Sequence, residues 1–288
     1  MFERIDHIVC VVPDLESASA AHEKLGLSLT PPFRFESNGV TNRALFVGEN
    51  AANLCYLELI SVFDADRVRA SGRSAYLNAG AAGLGFGVGD VHASAAHLTK
   101  SGYAAPVESV DRPEGSRIID IASVETGGAV PFRVTISEYP ESWEQRYDRS
   151  RELGRLNHTF PLKRLDHLAA VAPDIEGACR FWSEVLGVPV HGEIRTSQLI
   201  IRQLKIGDAI LELLGPTGPD SPMASRPASL AGMAAWEVSG PLDEAVALAR
   251  ERGFSPSDPE AGVIPGTRRS TIPPAELGGI GMQLLEYV

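Results

Sequence analysis

The chain has 288 residues, 44% hydrophobic and 22% charged, the balance of a globular protein with apolar material for one large or two ordinary domains. A formal net charge of −11 argues against a nucleic-acid partner, whose surface needs clustered Lys and Arg. No apolar run nears the ~18 residues of a membrane span, and no signal peptide precedes Met1-Phe2-Glu3-Arg4, so no membrane partner and a cytoplasmic location are expected.

Taken in order, residues 5–12 are a near-continuous β-branched run, read as a buried strand that Pro13-Asp14 stops. Asp14 is the expected N-cap of a helix over 15–25, with Gly26 as its C-terminal stop. Strands follow at 27–30, 43–47 and 54–62, the first two separated by the Gly- and Asn-containing stretch 36–42. This unit reads β-α-β-β-β. It recurs more faintly from Gly83, with a strand at 84–88, a helix from Asp90 through Lys100 stopped at Gly102, and strands at 117–121 and 132–138. Residues 139–164 form a polar, charged connector, the best domain boundary in the chain.

A third unit starts at Leu165, with a helix over 175–186 and strands at 199–206 and 209–214 joined by a turn at Gly207-Asp208. The loop 215–222 is dense in Gly, Pro, Asp and Ser. A fourth unit runs from Met233 through a helix over 242–252, a turn at Gly253, and strands at 269–272 and 281–287. The first and third units share a motif: IDHIVCVVPDL at 5–15 reappears as LDHLAAVAPDI at 165–175. Asp6/Asp166, His7/His167, Pro13/Pro173 and Asp14/Asp174 keep one constant offset, the mark of a duplicated unit. Domains are expected at 1–140 and 164–288, with 141–163 between them. Cys10, Cys55 and Cys179 lie in apolar surroundings without CxxC spacing and read as buried, reduced thiols.

Four such units in two pairs resemble the vicinal-oxygen-chelate (glyoxalase/bleomycin-resistance/dioxygenase) superfamily. The N-terminal half, through IDHIV, GVTN (39–42) and YLELI (56–60), resembles the glyoxalase-like domain family. The C-terminal half is similar to the methylmalonyl-CoA epimerase family in LDHLAAVAPDI, FWSEVLGVPV (181–190), IGDAILELLGPTGPDSP (206–222) and IPPAELGGIGMQLLE (272–286). The resemblance implies an α+β fold: four βαβββ modules forming two half-open mixed β-barrels with helices outside, around a divalent metal. One fold carries many chemistries here, so the reaction is not fixed by it.

His7 and His167 each sit on the first strand of their half, and Glu58 and Glu212 each in a Leu-Glu-Leu context on a later strand of the same unit. Strand side chains alternate, so each carboxylate faces opposite to both neighbours. Inside a barrel it needs a partner, and a cation shared with the imidazole supplies one. Zn, Mn, Fe, Co or Ni all suit mixed N/O ligation, and the sequence does not choose. The plain alternative is a hydrogen-bonded core histidine and a solvent-facing glutamate. The counterparts in the second unit are Gly83 or Leu84 and a position near Thr135; in the fourth they are Met233 and Gln283. His167, Glu212 and Gln283 therefore make the better single-barrel set, and His7 with Glu58 the poorer one, unless units exchange and the four His and Glu residues converge.

Asn42, in a loop leading into a strand, and Arg269, beside Arg268 at a strand entrance, are candidates for substrate binding, with turn chemistry and surface charge as the alternatives. His158, in the connector, reads as structural. The resemblance implies an enzyme: a metal-dependent lyase, isomerase or epimerase acting on a small carbonyl compound or acyl thioester through an enolate, with Glu58 or Glu212 moving the proton. Its rivals are a metal-free protein that sequesters a small molecule and an extradiol-type dioxygenase. The latter wants a second histidine where Met233 stands. The resemblance also allows a homodimer.

Overall fold

An aspartate ends the first strand of three modules and opens the helix that follows. The computed structural model describes residues 2–111 and 115–288. In the first module β1 (Phe2–Val11) leads to α1 (Leu15–Leu25), then β2 (Phe33–Phe35), β3 (Val40–Val47), β4 (Cys55–Val62) and a short α2 (Ala65–Ala70). The second holds β5 (Gly80–Val88), α3 (Val91–Lys100), β6 (Val107–Asp111), β7 (Arg117–Val124) and β8 (Arg133–Glu138). Helix α4 (Trp143–Glu152) occupies the connector. The third module is β9 (Leu162–Val171), α5 (Ile175–Arg180), β10 (Val190–Arg195), β11 (Leu199–Ile206) and β12 (Ala209–Pro216). The fourth is β13 (Ser229–Val238), α6 (Leu242–Glu251), β14 (Glu260–Ala261), β15 (Thr267–Ile272) and β16 (Gly281–Tyr287).

The strands form two eight-stranded mixed sheets curled into half-barrels, ordered β2-β3-β4-β1-β5-β8-β7-β6 and β10-β11-β12-β9-β13-β16-β15-β14. In every module the first strand pairs parallel with the last, while the hairpin pairs are antiparallel. The duplicated α+β architecture expected from the sequence is borne out.

The caps explain why the helices start where they do. Asp14 has extended backbone and accepts from Glu16 N–H at 2.9 Å and Ser17 N–H at 3.3 Å, while Gly26 closes α1 at φ 92°. Asp90 accepts from Ala93 N–H at 2.8 Å, and Asp174 from Gly177 N–H at 2.9 Å. Helix α6 has no such cap and begins after Pro241. The helix expected over 175–186 is α-helical only to Arg180, and a π-helical turn over Phe181–Val185 follows.

The chain folds into two compact units, each drawn from both halves of the sequence. One comprises Met1–Asp6, Gly83–Ser142 and His167–Ala231; the other comprises His7–Ala82, Trp143–Asp166 and Gly232–Val288. The first unit is centred on aromatic rings. Phe2 stacks on Phe86 at 4.6 Å, and both meet the fully buried Trp182 edge-on, at 6.3 and 5.6 Å. In the second, α1 lies against β3 and β4, on the side where Ile8, Cys10, Leu45, Leu57 and Leu59 are buried. Each Leu or Ile among them contributes about 1.5–3 kcal/mol on burial.

Two expectations are corrected, and the connector holds a helix. Residues 27–30 are not a strand. Thr30 N–H does donate to Ala44 at 2.9 Å, but its hydroxyl takes the return bond from Ala44 N–H, and Pro31 has no N–H to extend a ladder. Asn42 lies inside β3 rather than in a loop before it. The connector contains α4, whose charged sequence WEQRYDRSRE gives no apolar stripe to read.

Candidate functional site

Strand alternation selects one face of the first module. His7 on β1 pairs with Tyr56 on β4, and Glu58 follows two residues on. On β3, Phe46 lies opposite Tyr56 and Ala44 opposite Glu58. His7, Tyr56, Glu58, Phe46 and Asn42 therefore share the face turned away from α1. Their rings form a row: His7 stacks on Tyr56 at 4.9 Å and 20°, and Tyr56 on Phe46 at 4.9 Å and 28°. Beyond Phe46 stands the Arg155 guanidinium, 5.1 Å from the ring centroid.

His7 is buried, with 4% of its surface exposed. Glu58 is half-buried and accepts a hydrogen bond from the Asn42 amide through Oε1. That amide supplies the partner a desolvated carboxylate requires.

The third module repeats the arrangement without the rings. His167 pairs with Ile210, which stands where Tyr56 does, and Glu212 follows two residues on. Glu212 is 7% exposed and accepts from the Gln203 amide at 2.9 Å. The register also fixes the counterparts in the other modules. Gly83 pairs with Arg133, two residues before Thr135, and Met233 pairs with Gly281, two before Gln283.

Among the described residues no three His, Cys, Asp or Glu side chains gather into a group able to hold a metal ion. Catalytic sites of the His and carboxylate kind take three protein ligands and leave one position open. His7 with Glu58, and His167 with Glu212, each supply two, and each carboxylate already accepts from an amide. Gln283 is buried, in the unit that holds His7, whereas His167 and Glu212 belong to the other unit. Neither pair by itself supplies the three ligands such a site takes.

The remaining candidates have ordinary partners. Arg269 on β15 bonds Glu260 on β14, with Nε at 3.0 Å and Nη2 at 2.8 Å. Arg268 holds Asp243 through both terminal nitrogens, at 2.8 and 3.0 Å. His158 is a clasp: its Nδ1 accepts from Ser28 N–H at 3.0 Å and its Nε2 reaches the Phe46 carbonyl at 2.7 Å. The backbone donor at Nδ1 places the ring proton on Nε2, and burial holds the imidazole below its usual pKa, hence neutral. All three cysteines are buried thiols outside any disulfide, and burial pushes the Cys10 thiol up to about 12. A separate open cavity of about 540 Å³ lies along α4, where Tyr147, Asp148 and Arg151 face Gly48 and Asn157. None of the residues singled out in the sequence lines it.

Tyr56, Phe46 and Gln203 were not singled out in the sequence, though two left signals. Tyr56 stands two residues before Glu58, which on a strand means the same face. Gln203 follows by counting back from the Gly207-Asp208 turn: Ile206 opposes Ala209, so Gln203 opposes Glu212.

Paired βαβββ modules in curled mixed sheets, with His on a first strand and Glu on the neighbouring last strand, define the glyoxalase/bleomycin resistance protein/dioxygenase class. The model described as glyoxalase-like domain matches residues 5–157, and that of the glyoxalase/bleomycin resistance protein/dioxygenase superfamily matches 166–269. The chain belongs to the glyoxalase-like domain family. Human mitochondrial methylmalonyl-CoA epimerase is 35% identical over 65 residues, which are 22% of this chain and 37% of that protein. The chain thus spans little more than a third of the curated relatives it matches. Among solved structures, a mutant of 4-hydroxymandelate synthase from Streptomyces coelicolor aligns with TM-score 0.68 at 15% identity, over 100% of this chain and 93% of that one. A halotolerant catechol dioxygenase aligns at 0.63 and 14%, over 99% and 86%. At those identities the likeness is one of fold. Among the described residues no helix is long and apolar enough to cross a membrane.

Proposed function

We propose that the chain is an enzyme of the isomerase or epimerase kind, moving a proton at the carbon beside a carbonyl of a small molecule, with Glu58 as the group that takes and returns it. One observation carries the reading: Glu58 stands on the same strand face as His7 and the ring row, fixed through one oxygen by Asn42. A carboxylate on the same strand face as an imidazole offers a base and a donor for the developing enolate oxygen. The ring row gives a planar carbonyl compound an apolar wall. The similarity to methylmalonyl-CoA epimerases over part of the chain supports the same class.

Superfamily members typically bind a divalent metal. A Zn, Mn, Fe, Co or Ni ion on His7 and Glu58, or on His167, Glu212 and Gln283, would polarise the carbonyl of such a substrate; His7 with Glu58 and His167 with Glu212 each supply two of the three ligands needed, and no step is assigned to a metal. A second reading, capture of a ligand without turnover, is favoured by the amide already bonded to each carboxylate. A ring-cleaving dioxygenase needs two histidines and a carboxylate in one group, and no such group exists among the described residues.

The test is hydrogen exchange in D2O, followed by NMR, on 2-oxoalkanoates and 2-methylacyl thioesters. Catalysed loss of the proton beside the carbonyl, abolished in Glu58→Gln and surviving chelation, supports the proposal. Binding without exchange supports capture. Exchange that disappears with chelation and returns with one metal supports the metal-dependent version.

A further inference from the structure

The face that carries Glu58 is closed at one end. Alternation brings Val9 and Val11 on β1, Ile60 and Val62 on β4 and Val40 on β3 onto the same side as His7 and Glu58. Val9, Val11, Val40, Ile60 and Ala82 form one buried cluster with Val68 of α2 and with Tyr76 of a 3₁₀ turn, Ser74–Leu77; Phe35 and Val62 lie against it. Val68 is fully buried and Tyr76 is 6% exposed. The segment between β4 and β5 thus folds over the face of the sheet opposite α1.

It is fastened there from outside. Phe63 and Asp64 N–H groups both donate to the Gly39 carbonyl, at 3.0 and 3.1 Å, and Asp64 caps α2. Arg67 donates through Nη1 to the Glu36 carbonyl at 2.8 Å and to its carboxylate at 2.9 Å. Gly39, at φ +70°, leaves the room: a Cβ on it would stand 2.3 Å from the Asp64 carbonyl oxygen.

We propose that Val68 and Tyr76 are the floor of the ligand site and limit it to compact ligands. The position of the reacting carbon at Glu58 is taken from the proton-transfer reading. The cluster containing Val68 and Tyr76 starts at Val9, the cross-strand partner of Glu58, and from Glu58 the strand runs about 7 Å to Ile60, which is also part of it. A ligand held at Glu58 and extended toward Ile60 meets apolar side chains that are already packed, with no flexible end to yield. The floor therefore discriminates by length.

The test uses straight-chain 2-oxoalkanoates from 2-oxobutanoate to 2-oxooctanoate, with binding measured by ligand-observed NMR. In the wild type, affinity falls about ten-fold or more once the chain reaches the floor. Tyr76→Ala recovers a similar factor for the long members relative to 2-oxobutanoate, Val68→Ala moves the limit by a smaller step, and Tyr76→Phe keeps the wild-type length limit. Circular dichroism and melting establish folding; should Tyr76→Ala be unfolded, Val68→Ala decides. The same length preference in every variant, an equal shift at all lengths, or no binding of any member to any variant overturns the proposal. Exchange at C3 is read in the same samples. Binding with the expected length limit but no exchange contradicts the proton-transfer reading and leaves the floor standing; exchange with an unaltered length preference does the reverse.

Discussion

The Tyr287 phenol, at the end of β16, donates to Asp166 on β9 at 2.8 Å, and Tyr139 donates to Asp6 on β1 in the same way at 2.7 Å. The Asp-His pair that marks each repeat is thereby divided. The aspartate is buried and tied to a tyrosine just past or at the end of its half's last strand, while the histidine points to the opposite face. Burial, then the neighbouring Asp166 charge, pushes the Tyr287 phenol up to about 12. A raised folded pKa means stability fully present below the unfolded value and lost as pH climbs through the folded one. Stability is thus expected to fall between about pH 10 and 12. Tyr287→Phe is expected to cost about 1–2 kcal/mol at pH 7, because Asp166 keeps only part of its partners, and to flatten that alkaline limb. Denaturant unfolding at stepped pH checks both.

Acid sensitivity has a source in α1. His22 is wholly buried; its Nδ1 donates to the Ala18 carbonyl at 2.9 Å and its Nε2 has no partner among the described residues. Burial lowers its pKa, so its contribution is present above the unfolded value near 6.5 and lost as pH falls. His22→Leu removes the unsatisfied nitrogen and roughly conserves the packing. It is expected to change stability at pH 7 by less than about 1 kcal/mol and to leave the protein more resistant than wild type at pH 5. Thermal melts at the two pH values decide; an unchanged acid limb contradicts the assignment.

The chemistry rests on Glu58, and its variants separate base from positioner. Glu58→Gln keeps the shape and an acceptor but cannot hold a proton. Exchange is expected to fall by about 10² to 10⁴, with affinity for the same ligand kept within a few-fold. Asn42→Ala frees the carboxylate from its amide and is expected to lower exchange about ten-fold through misplacement. Single-turnover rates and binding constants on the two proteins distinguish the roles. Equal losses in both constants for Glu58→Gln would make it a binding residue.

Most of the scaffold was legible because its signals are local. Pro13-Asp14 and Pro173-Asp174 ended strands and opened helices, and the 3.6- and 2-residue periods gave element type. Counterpart positions could be counted from the repeat, and the register assigned Gly83 and Thr135 where the sequence left a choice. What was hidden depends on long connections. The stretch between β3 and β4 contains a 3₁₀ turn over Ala51–Asn53, so no count from a two-residue turn could pair Asn42 with Glu58. Val68 and Tyr76 sit in a segment too short and mixed for an apolar stripe, and only the folded chain shows which side of the sheet it covers. Arg269 offered a charge that could hold an anion; its cross-strand neighbour Glu260 was invisible until the edge pair formed.

His158 joins the connector to the first module through two backbone groups at once. Its Nδ1 lone pair accepts from Ser28 N–H, and its Nε2–H serves the Phe46 carbonyl. The neutral ring carries an acceptor and a donor in one plane, at its two opposite nitrogens. Protonation would turn Nδ1 into a donor facing a donor, so the clasp opens as pH falls, in keeping with a pKa that burial holds below the usual histidine value. The sign matches His22: stability present above about pH 6.5 and lost beneath it. His158→Ala is expected to cost about 2–3 kcal/mol at pH 7, from two lost bonds and an exposed pair of backbone groups. Phe46 is the last ring of the row that begins at His7, so ligand affinity at the Glu58 face is also expected to weaken by a few-fold. The protection of the Ser28 amide, read by mass spectrometry as its exchange rate relative to the intrinsic rate at the same pH, should fall in the variant at pH 7 and in the wild type at pH 5. Protection that persists at pH 5 would show that His158 stays neutral there and contributes nothing to the acid limb.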